Sequence, residues 1–486
     1  MAKSMFLTPK KAMQIHEMSV SILEKTGVRL DHGEAEELLM SAGAEKDEDN
    51  RFLLPRAMVQ EALEKVGKKI TIHDREGRRA MTLKAGRTYF GTGSDALYNV
   101  DRETGQVRLS NVSDIRENVR IVDALPNFDF AMSTALPHEL TASTLYPRVF
   151  REMAESTTKP IVATATSLAD IRHIHEVASI IAGGKTKLKE RPFFIAYLEP
   201  NSPLSTDYSC VERLLYCAEN EIPLLFAAGA NIGVAAPVTL SAAVAQGNAE
   251  SLFGLVLATL KNENVRFIHG SNSASVDMHY GKVLYGAPEW FKTVAMYADL
   301  GRQYRLPTWG TGGCSDAWSI DAQTGFEAYE GILLAVQSGP TLVHDVGFLS
   351  YGFLYDARMI VLADEIIRRA RHLTEVIDAS ADEESMQTID DVVRGRLGYG
   401  SFLDHPHTAR YFRRTLWLPP PYLQRRMIAL DDAEPNLREA LSQVVHNILD
   451  AHEPKTMSPQ VSRQMDQYFE ALPEADSMGS DPHEAV

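Results

Sequence analysis

The sequence predicts an α/β protein whose main domain is a closed (β/α)8 barrel, also called a TIM barrel. Eight short apolar segments recur along the chain, and amphipathic stretches of helical length lie between them. Such alternation produces right-handed βαβ units and a parallel sheet, and eight units favour closure into a barrel. A doubly wound open sheet is the structural alternative, but no G-x-G-x-x-G fingerprint follows a first strand.

The predicted strands and helices alternate in a regular order. The strands lie near residues 89–91, 128–132, 160–165, 193–198, 224–227, 265–268, 306–309 and 341–343. The helices cover 112–124, 143–156, 168–183, 207–220, 238–261, 288–304, 320–338 and 354–376. Residues of the type that cap helices, Asn111 and Ser113, stand at the start of the first helix.

Two further regions flank the barrel, which we place at residues 85–377. Residues 1–84 are predicted as an N-terminal helical cap with a β-hairpin, because 70–73 alternates like a strand and 74–77 has turn composition. Residues 378–472 are predicted as a C-terminal helical extension, with helices at 386–394 and 431–452. The acidic segment 473–486 contains Pro and Gly and is predicted to be a disordered tail.

The composition excludes some classes of protein. The 486 residues carry a formal net charge of −16, which argues against nucleic-acid binding and is compatible with a cationic ligand. Cys210 and Cys217 lie seven residues apart on a predicted helix, a separation of about 10.5 Å that is too long for a disulfide. We therefore expect reduced thiols and a cytoplasmic location. No signal peptide is evident, and polar residues interrupt the most apolar helix, so no membrane span is expected.

Functional residues are expected at the carboxyl ends of the predicted strands, where the chemistry of such barrels takes place. Asp95 and His344 follow the first and eighth strands, although a helix cap and a core histidine are the alternatives. Cys314 lacks a supporting Cys-His-Asn arrangement and is better explained as a small loop residue. No clustered thiolates and imidazoles suggest a bound metal, and His405 with His407 is a weak candidate. Aromatic rings near the strand ends suit a quaternary ammonium ligand.

Several blocks of sequence resemble the trimethylamine methyltransferase family. They are 231–240 (NIGVAAPVTL), 245–250 (AQGNAE), 285–289 (YGAPE), 312–323 (GGCSDAWSIDAQ) and 403–408 (LDHPHT), within a likeness that runs from about Phe6 to about Pro459. The resemblance implies a TIM barrel that transfers a methyl group from an amine to the cobalt of a separate corrinoid protein. Every residue is a standard amino acid, so the chain looks like the branch without pyrrolysine, whose substrates include glycine betaine.

The resemblance also guides the assignment of site residues. We expect Asp95, Tyr98, Tyr197 and Phe348 to line the ammonium site, and His344 and Gln323 to bind the carboxylate or other polar end of the substrate. Asp95 and His344 are the candidate catalytic residues. Gly312, Gly313 and Ser315 are expected to face the corrinoid, because glycines allow a flat ring to approach the backbone. We expect no bound metal, a corrinoid carried by a partner protein, and a homo-oligomer.

Alternatives from other classes remain open. A TIM-barrel lyase or aldolase would need a Lys at a strand end for a Schiff base, and the predicted strand ends contain none. A quaternary-amine binding protein without turnover would share the aromatic and acidic residues. Within the methyltransferase hypothesis, proline betaine, carnitine and γ-butyrobetaine are alternatives to glycine betaine.

Overall fold

The structure is a computed structural model that describes residues 5–377, 382–424 and 436–472. The strands are β1 (Val28–Arg29), β2 (Glu45–Lys46), β3 (Arg51–Leu53), β4 (Ile70–His73), β5 (Arg79–Leu83), β6 (Tyr89–Phe90), β7 (Tyr98–Val100), β8 (Val107–Leu109), β9 (Ile161–Thr164), β10 (Phe194–Leu198), β11 (Leu224–Ala228), β12 (Phe267–Ser271), β13 (Ser275–Val276), β14 (Val283–Leu284), β15 (Trp309–Thr311), β16 (Leu342–His344), β17 (Phe348–Leu349) and β18 (Leu354–Tyr355).

Helices follow most of these strands. They are α1 (Pro9–Lys25), α2 (Gly33–Ser41), α3 (Arg56–Lys65), α4 (Val112–Ala124), α5 (Leu145–Ser156), α6 (Leu168–Ala182), α7 (Lys185–Glu190), α8 (Tyr208–Glu219), α9 (Leu240–Lys261), α10 (Pro288–Tyr304), α11 (Ala322–Ser338), α12 (Ala357–Leu373), α13 (Glu383–Val393), α14 (Pro406–Thr415), α15 (Leu437–Ala451) and α16 (Pro459–Glu470). The α/β class predicted from the sequence is confirmed.

The parallel strands form two sheets that single bridges connect. One sheet has the order β12-β11-β10-β9 and the other has the order β15-β16-β6, with all pairs parallel. Isolated parallel bridges join Gly91 to Phe130, Ala131 to Ile161, and His269 to Thr308. The carboxyl ends of these strands therefore lie at the same side of the fold, as the sequence predicted.

The space between the parallel strands is filled by a core of apolar side chains. The β4–β5 hairpin contributes Ile70, Ile72, Met81 and Leu83, all buried, to the cluster that also contains Trp309. The phenol oxygen of Tyr89, at the start of β6, accepts a hydrogen bond of 2.9 Å from the backbone nitrogen of Thr82 on the hairpin. The hairpin therefore packs against the amino end of the parallel strands, opposite the predicted functional residues.

Helix α9, the most apolar helix of the sequence, is buried along most of its length. Several of its polar groups have partners inside the protein: the amide nitrogen of Asn248 donates to Ser19 and Tyr304 at 2.8 and 3.0 Å, although the amide oxygen has no hydrogen-bond partner among the described residues. Glu250 accepts hydrogen bonds from the Ser202 hydroxyl and the Leu204 backbone nitrogen. Partners of this kind allow polar groups to be buried at little cost. Within the described parts of the chain, no helix is both long enough and apolar enough to cross a bilayer.

The C-terminal helices pack on the outside of the helical layer. Helix α15 contacts α4 and α12 and buries Leu441 and Val445, whereas α16 contacts α6 and buries Met465 and Phe469. Of the helix predicted at 431–452, the structure describes α15 and leaves 431–435 outside the described residues. The predicted disordered tail at 473–486 also lies outside them, and the predicted domain boundaries stay predictions.

Candidate functional site

A cavity of about 530 Å³ opens at the carboxyl ends of the parallel strands. It is lined by polar and aromatic side chains from the strand ends, together with the β13–β14 hairpin and the segment that follows β16. The lining residues that the chemistry uses are Asp95, Thr164, Tyr197, Glu199, Asn272, Lys282, Tyr285, Trp290, His344, Asp345 and Phe348. Four residues predicted from the sequence are therefore brought together here, namely Asp95, Tyr197, His344 and Phe348.

Asp95 contributes a carboxyl group that the strand ends hold in place. Its backbone is in the left-handed region at φ 62°, which turns the chain sharply after β6. The hydroxyl of Ser133 donates to Oδ1 of Asp95 at 2.9 Å, and the hydroxyl of Thr164 approaches the same oxygen at 3.4 Å. The surrounding protein displaces water from the carboxyl and raises its pKa to about 6. The group is therefore a carboxylate at neutral pH, held in a poorly solvated place.

His344 and Asp345 form a buried pair at the end of β16. Nδ1 of His344 lies 3.0 Å from the carbonyl oxygen of Gly310, and Nε2 lies 3.1 Å from Oδ2 of Asp345. Burial lowers the pKa of His344 to about 3 and raises the pKa of Asp345 well above its usual range. The arrangement fits a neutral imidazole. Its Nδ1–H donates to the carbonyl oxygen of Gly310, and its Nε2 accepts a hydrogen bond from the protonated carboxyl of Asp345. His344 therefore carries no positive charge with which to attract a carboxylate.

Tyr197 and Glu199 project from the end of β10 into the same cavity. The hydroxyl of Tyr197 donates to Glu199 at 2.9 Å and accepts from the amide of Asn272 at 2.8 Å. Although Glu199 has accessible surface within the cavity, the protein around it raises its pKa. The chain of hydrogen bonds fixes the tyrosine ring beside the second carboxyl group of the site.

Aromatic rings form much of the remaining wall. The Tyr285 ring lies edge to face with Phe348 at a centroid distance of 5.8 Å and with Trp290 at 4.7 Å. Trp309 lies beneath the site, with its ring centroid 4.1 Å from that of His344 and 5.6 Å from that of Tyr197. Ring faces attract organic cations at about 0.5–2 kcal/mol per contact, depending on desolvation. Carboxyl groups and rings together suit a cation that carries methyl groups.

Two residues that the sequence analysis assigned to substrate binding lie elsewhere. Tyr98 is on β7 in an outer sheet, paired with Leu354, and is 40% exposed. Gln323 lies in the first turn of α11 and donates to Glu327 at 2.9 Å. Neither residue lines the cavity. Both residues follow a predicted strand, which suggested that they lie near the site. The pairing of β7 with β8 and β18 fixes the direction of the Tyr98 side chain, and helix α11 fixes that of Gln323.

The loop 312–315 packs inside the protein and does not line the cavity, and its expected contact with a corrinoid stays a prediction. Gly312, Gly313 and Ser315 are buried. A Cβ atom on Gly312 would lie 3.0 Å from the carbonyl oxygen of Gly331, so this glycine permits close packing of the loop on α11. The Ser315 hydroxyl donates to Glu327 at 2.5 Å. Burial also raises the pKa of the Cys314 thiol well above its usual range, in agreement with a structural role.

The packing role of Gly313 predicts a loss of stability in the variant Gly313→Ala. Its φ of 77° is strained for residues with a side chain, and a Cβ would lie 3.0 Å from Ile332. We expect the free energy of unfolding to fall by about 1–2 kcal/mol, measured by urea denaturation. Gly325→Ala in α11 is the control, because nothing lies within 4 Å of its added Cβ, and it should gain about 0.5–1 kcal/mol. Equal stabilities of the two variants would contradict this explanation.

Some residues of the cavity were not chosen from the sequence. Glu199 follows β10 by one residue, so its position at a strand end was a usable signal. Asp345 follows β16 directly, so it also stands at a strand end, where a helix cap is an equal alternative to a site residue. Asn272 and Lys282 come from the connections before and after β13, and Trp290 lies in the first turn of α10. No periodic pattern in the sequence places such residues over a site.

Comparison with known proteins decides the family. The model of the family described as trimethylamine methyltransferase (MTTB) matches residues 1–473. The chain belongs to the trimethylamine methyltransferase family. The resemblance predicted from the sequence is thereby confirmed, and so is the prediction that the protein is a methyltransferase enzyme.

Individual relatives of this methyltransferase are distant but extend over most of its length. It is 26% identical over 417 residues to the glycine betaine methyltransferase of Desulfitobacterium hafniense strain Y51, and the matched region covers 85% of this chain and 85% of the relative. It is 26% identical over 399 residues to trimethylamine methyltransferase MttB of Methanosarcina thermophila, covering 79% of this chain and 81% of the relative. The solved structure of monomethylamine methyltransferase MtmB of Methanosarcina barkeri covers 95% of this chain and 91% of its own at 11% identity, with a TM-score of 0.47.

The site of this methyltransferase combines carboxyl groups with aromatic surface. Three carboxyl groups, those of Asp95, Glu199 and Asp345, line one cavity, and each has a raised pKa because of burial. In the described part of the chain, no group of three or more His, Cys, Asp or Glu side chains is arranged to hold a metal ion. The described lining therefore brings carboxyl groups and ring faces together in one cavity.

Proposed function

We propose that this methyltransferase moves a methyl group from a quaternary amine, glycine betaine by preference, to the Co(I) of a corrinoid carried by a separate protein. The observation that carries the proposal is the placement of Asp95 and the Tyr197, Tyr285 and Phe348 rings around one cavity. A carboxylate of pKa about 6 next to ring faces favours a permanent cation. Membership of the family and the similarity to a glycine betaine methyltransferase support the same substrate class.

We also propose that the parallel strands close into the eight-stranded barrel expected from the sequence. Followed in order, the pairings and single bridges pass from β6 through residues 130–131, β9, β10, β11, β12, β15 and β16 and return to β6. In a closed barrel the loops after the strands surround one opening. This arrangement supports a site whose residues come from distant parts of the chain.

In the proposed reaction the protein positions the donor and adjusts its charge. Asp95 balances the ammonium, and Tyr197, held by Glu199 and Asn272, provides a ring of fixed orientation. His344 stays neutral and forms part of the floor. The positive charge of the donor disappears as the methyl group leaves, and the leaving group is a neutral tertiary amine, so no proton has to be delivered. The protein therefore acts by positioning the methyl donor and by stabilising its positive charge until the methyl group leaves.

The methyl acceptor of the proposed reaction is a second substrate. When bound, the reduced corrinoid of a partner protein supplies the nucleophile. The cavity is open at the carboxyl ends of the strands, on the side opposite the packed hairpin, which fits access by a large acceptor. We propose a cytoplasmic location on the ground that all three thiols are free and buried. The homo-oligomer expected from the sequence stays a prediction.

Methyl transfer can be tested with the purified protein. Incubation with cob(I)alamin and glycine betaine without oxygen should convert the visible spectrum to that of methylcobalamin and yield dimethylglycine in equal amount. Choline, carnitine and trimethylamine in place of glycine betaine define the substrate range. Binding of glycine betaine without any methylcobalamin, with the cognate corrinoid protein also present, would indicate a binding protein and contradict the proposal.

A further inference from the structure

We infer that Lys282 binds the anionic end of a zwitterionic substrate and thereby distinguishes a betaine from a simple quaternary ammonium ion. The inference rests on the proposed function and adds a residue that determines specificity. Lys282 lies in the turn between β13 and β14, at the rim of the cavity that contains Asp95.

The charges of the cavity are distributed unevenly. The carboxylate of Asp95 and the carboxyl group of Glu199 stand at the ends of the parallel strands beside the protonated, neutral carboxyl of Asp345, and Lys282 is the one Lys or Arg among the described lining residues. His344 is not a second cation, because burial lowers its pKa to about 3. A substrate with an ammonium at one end and a carboxylate at the other therefore has one complementary orientation, with the ammonium at the strand ends and the carboxylate at the hairpin.

Lys282 is available for such a contact. No carboxylate of the described residues lies within 4 Å of its ammonium group, whereas lysines such as Lys65 and Lys261 have acidic partners at 2.8 and 2.6 Å. The side chain is exposed in a two-stranded turn. A flexible four-carbon stem lets the ammonium move toward an anion within the cavity.

A second observation at the same rim points to an acceptor on the ligand. The indole nitrogen of Trp290 is buried and has no hydrogen-bond acceptor among the described residues. Trp290 lines the cavity and belongs to the cluster against which Val283, the neighbour of Lys282, packs. A buried donor without an acceptor is uncommon in proteins. A carboxylate bound by Lys282 would bring acceptor oxygens to the part of the cavity that Trp290 lines.

The predicted carboxylate site is therefore moved from His344 and Gln323 to the hairpin. Nδ1 and Nε2 of His344 already have partners in Gly310 and Asp345, and Gln323 lies outside the cavity. Lys282 supplies the one cationic donor of this cavity within the described residues, and the indole nitrogen of Trp290 is a buried donor without an acceptor there. The substrate class that fits is a quaternary ammonium with a carboxylate a short distance away.

The variant Lys282→Met tests the inference by comparing two ligands, glycine betaine and tetramethylammonium. We expect the ratio of the KM for glycine betaine to the KM for tetramethylammonium to rise about fivefold to tenfold, since a partly exposed charge contact is lost. The dissociation constants from calorimetry, which need no methyl acceptor, should shift by the same ratio. Lys282→Arg should restore most of the preference for glycine betaine.

A matched control comes from the next exposed lysine. Lys292→Met on α10 removes an exposed charge that does not line the cavity, and it should leave the ratio at the wild-type value. An unchanged ratio in Lys282→Met would overturn the inference, and so would wild-type protein that binds tetramethylammonium but not glycine betaine. Wild-type protein that binds both ligands and transfers no methyl group would refute the proposed function alone, because the binding ratio still tests Lys282.

Discussion

Replacing Asp95 with Asn is expected to lower kcat/KM for glycine betaine about 100-fold. The substrate ammonium would be left without its buried partner charge, which costs about 2–5 kcal/mol of binding free energy. The amide has nearly the same size as the carboxyl and keeps a hydrogen-bond partner in Ser133, which lies 2.9 Å from Oδ1. The change therefore removes charge with little disturbance of packing. The rate of methylcobalamin formation at low substrate concentration measures the effect.

The pH dependence of kcat/KM tests the role of Asp95 independently. Burial raises the pKa of Asp95 to about 6, so the carboxyl is protonated below that pH and charged above it. A quaternary nitrogen carries no proton, so kcat/KM in the wild type should fall about tenfold for each pH unit below the pKa. The amide of the Asp95→Asn variant cannot titrate, and that variant should lose this step. A variant with wild-type kcat/KM and an unchanged profile would show that another group balances the ammonium.

Trp309→Ala is expected to have the largest effect on stability. Trp309 is fully buried, and its ring packs against Phe130, Tyr197 and His344. Truncation leaves a cavity beneath the site and should lower the free energy of unfolding by about 3–5 kcal/mol, measured by urea denaturation.

Trp318→Ala is the matched control for the same measurement. The Trp318 side chain is 73% exposed, and its removal should change the free energy of unfolding by less than about 0.5 kcal/mol. Similar losses in the two variants would mean that Trp309 does not support the core as described. Trp309→Phe, which keeps a ring over the same position, should recover part of the lost stability and part of the activity.

The parallel strands could be predicted because burial on both faces produces continuous apolar runs. Residues 193–198 were assigned to a strand, and β10 spans Phe194–Leu198. The outer sheet β17-β18-β7-β8 was not predicted, since strands of two or three residues are too short to show a period of two. The start of the helix predicted at 354 was wrong for the same reason, because residues 354–355 form β18 and α12 begins at Ala357.

The part of the site on strand ends was also predictable, and the part on loops was not. Asp95, Tyr197 and His344 meet because parallel strands deliver the residues that follow them to one side of the fold. The direction of Tyr98 and the position of Lys282 depend on tertiary pairing in the outer sheet and in the β13–β14 hairpin. Glycine content alone did not reveal whether loop 312–315 faces a ligand or a helix, since both require close approach of the backbone.

The β4–β5 hairpin limits how substrates can reach the cavity of the proposed reaction. Its four apolar side chains pack the amino end of the strands, so within the described residues the cavity is reached from the carboxyl ends. In the proposed reaction the methyl donor and the methyl acceptor would share that one passage. A large acceptor seated at the opening would block a small donor, so we expect the donor to bind first and the demethylated amine to leave after the acceptor.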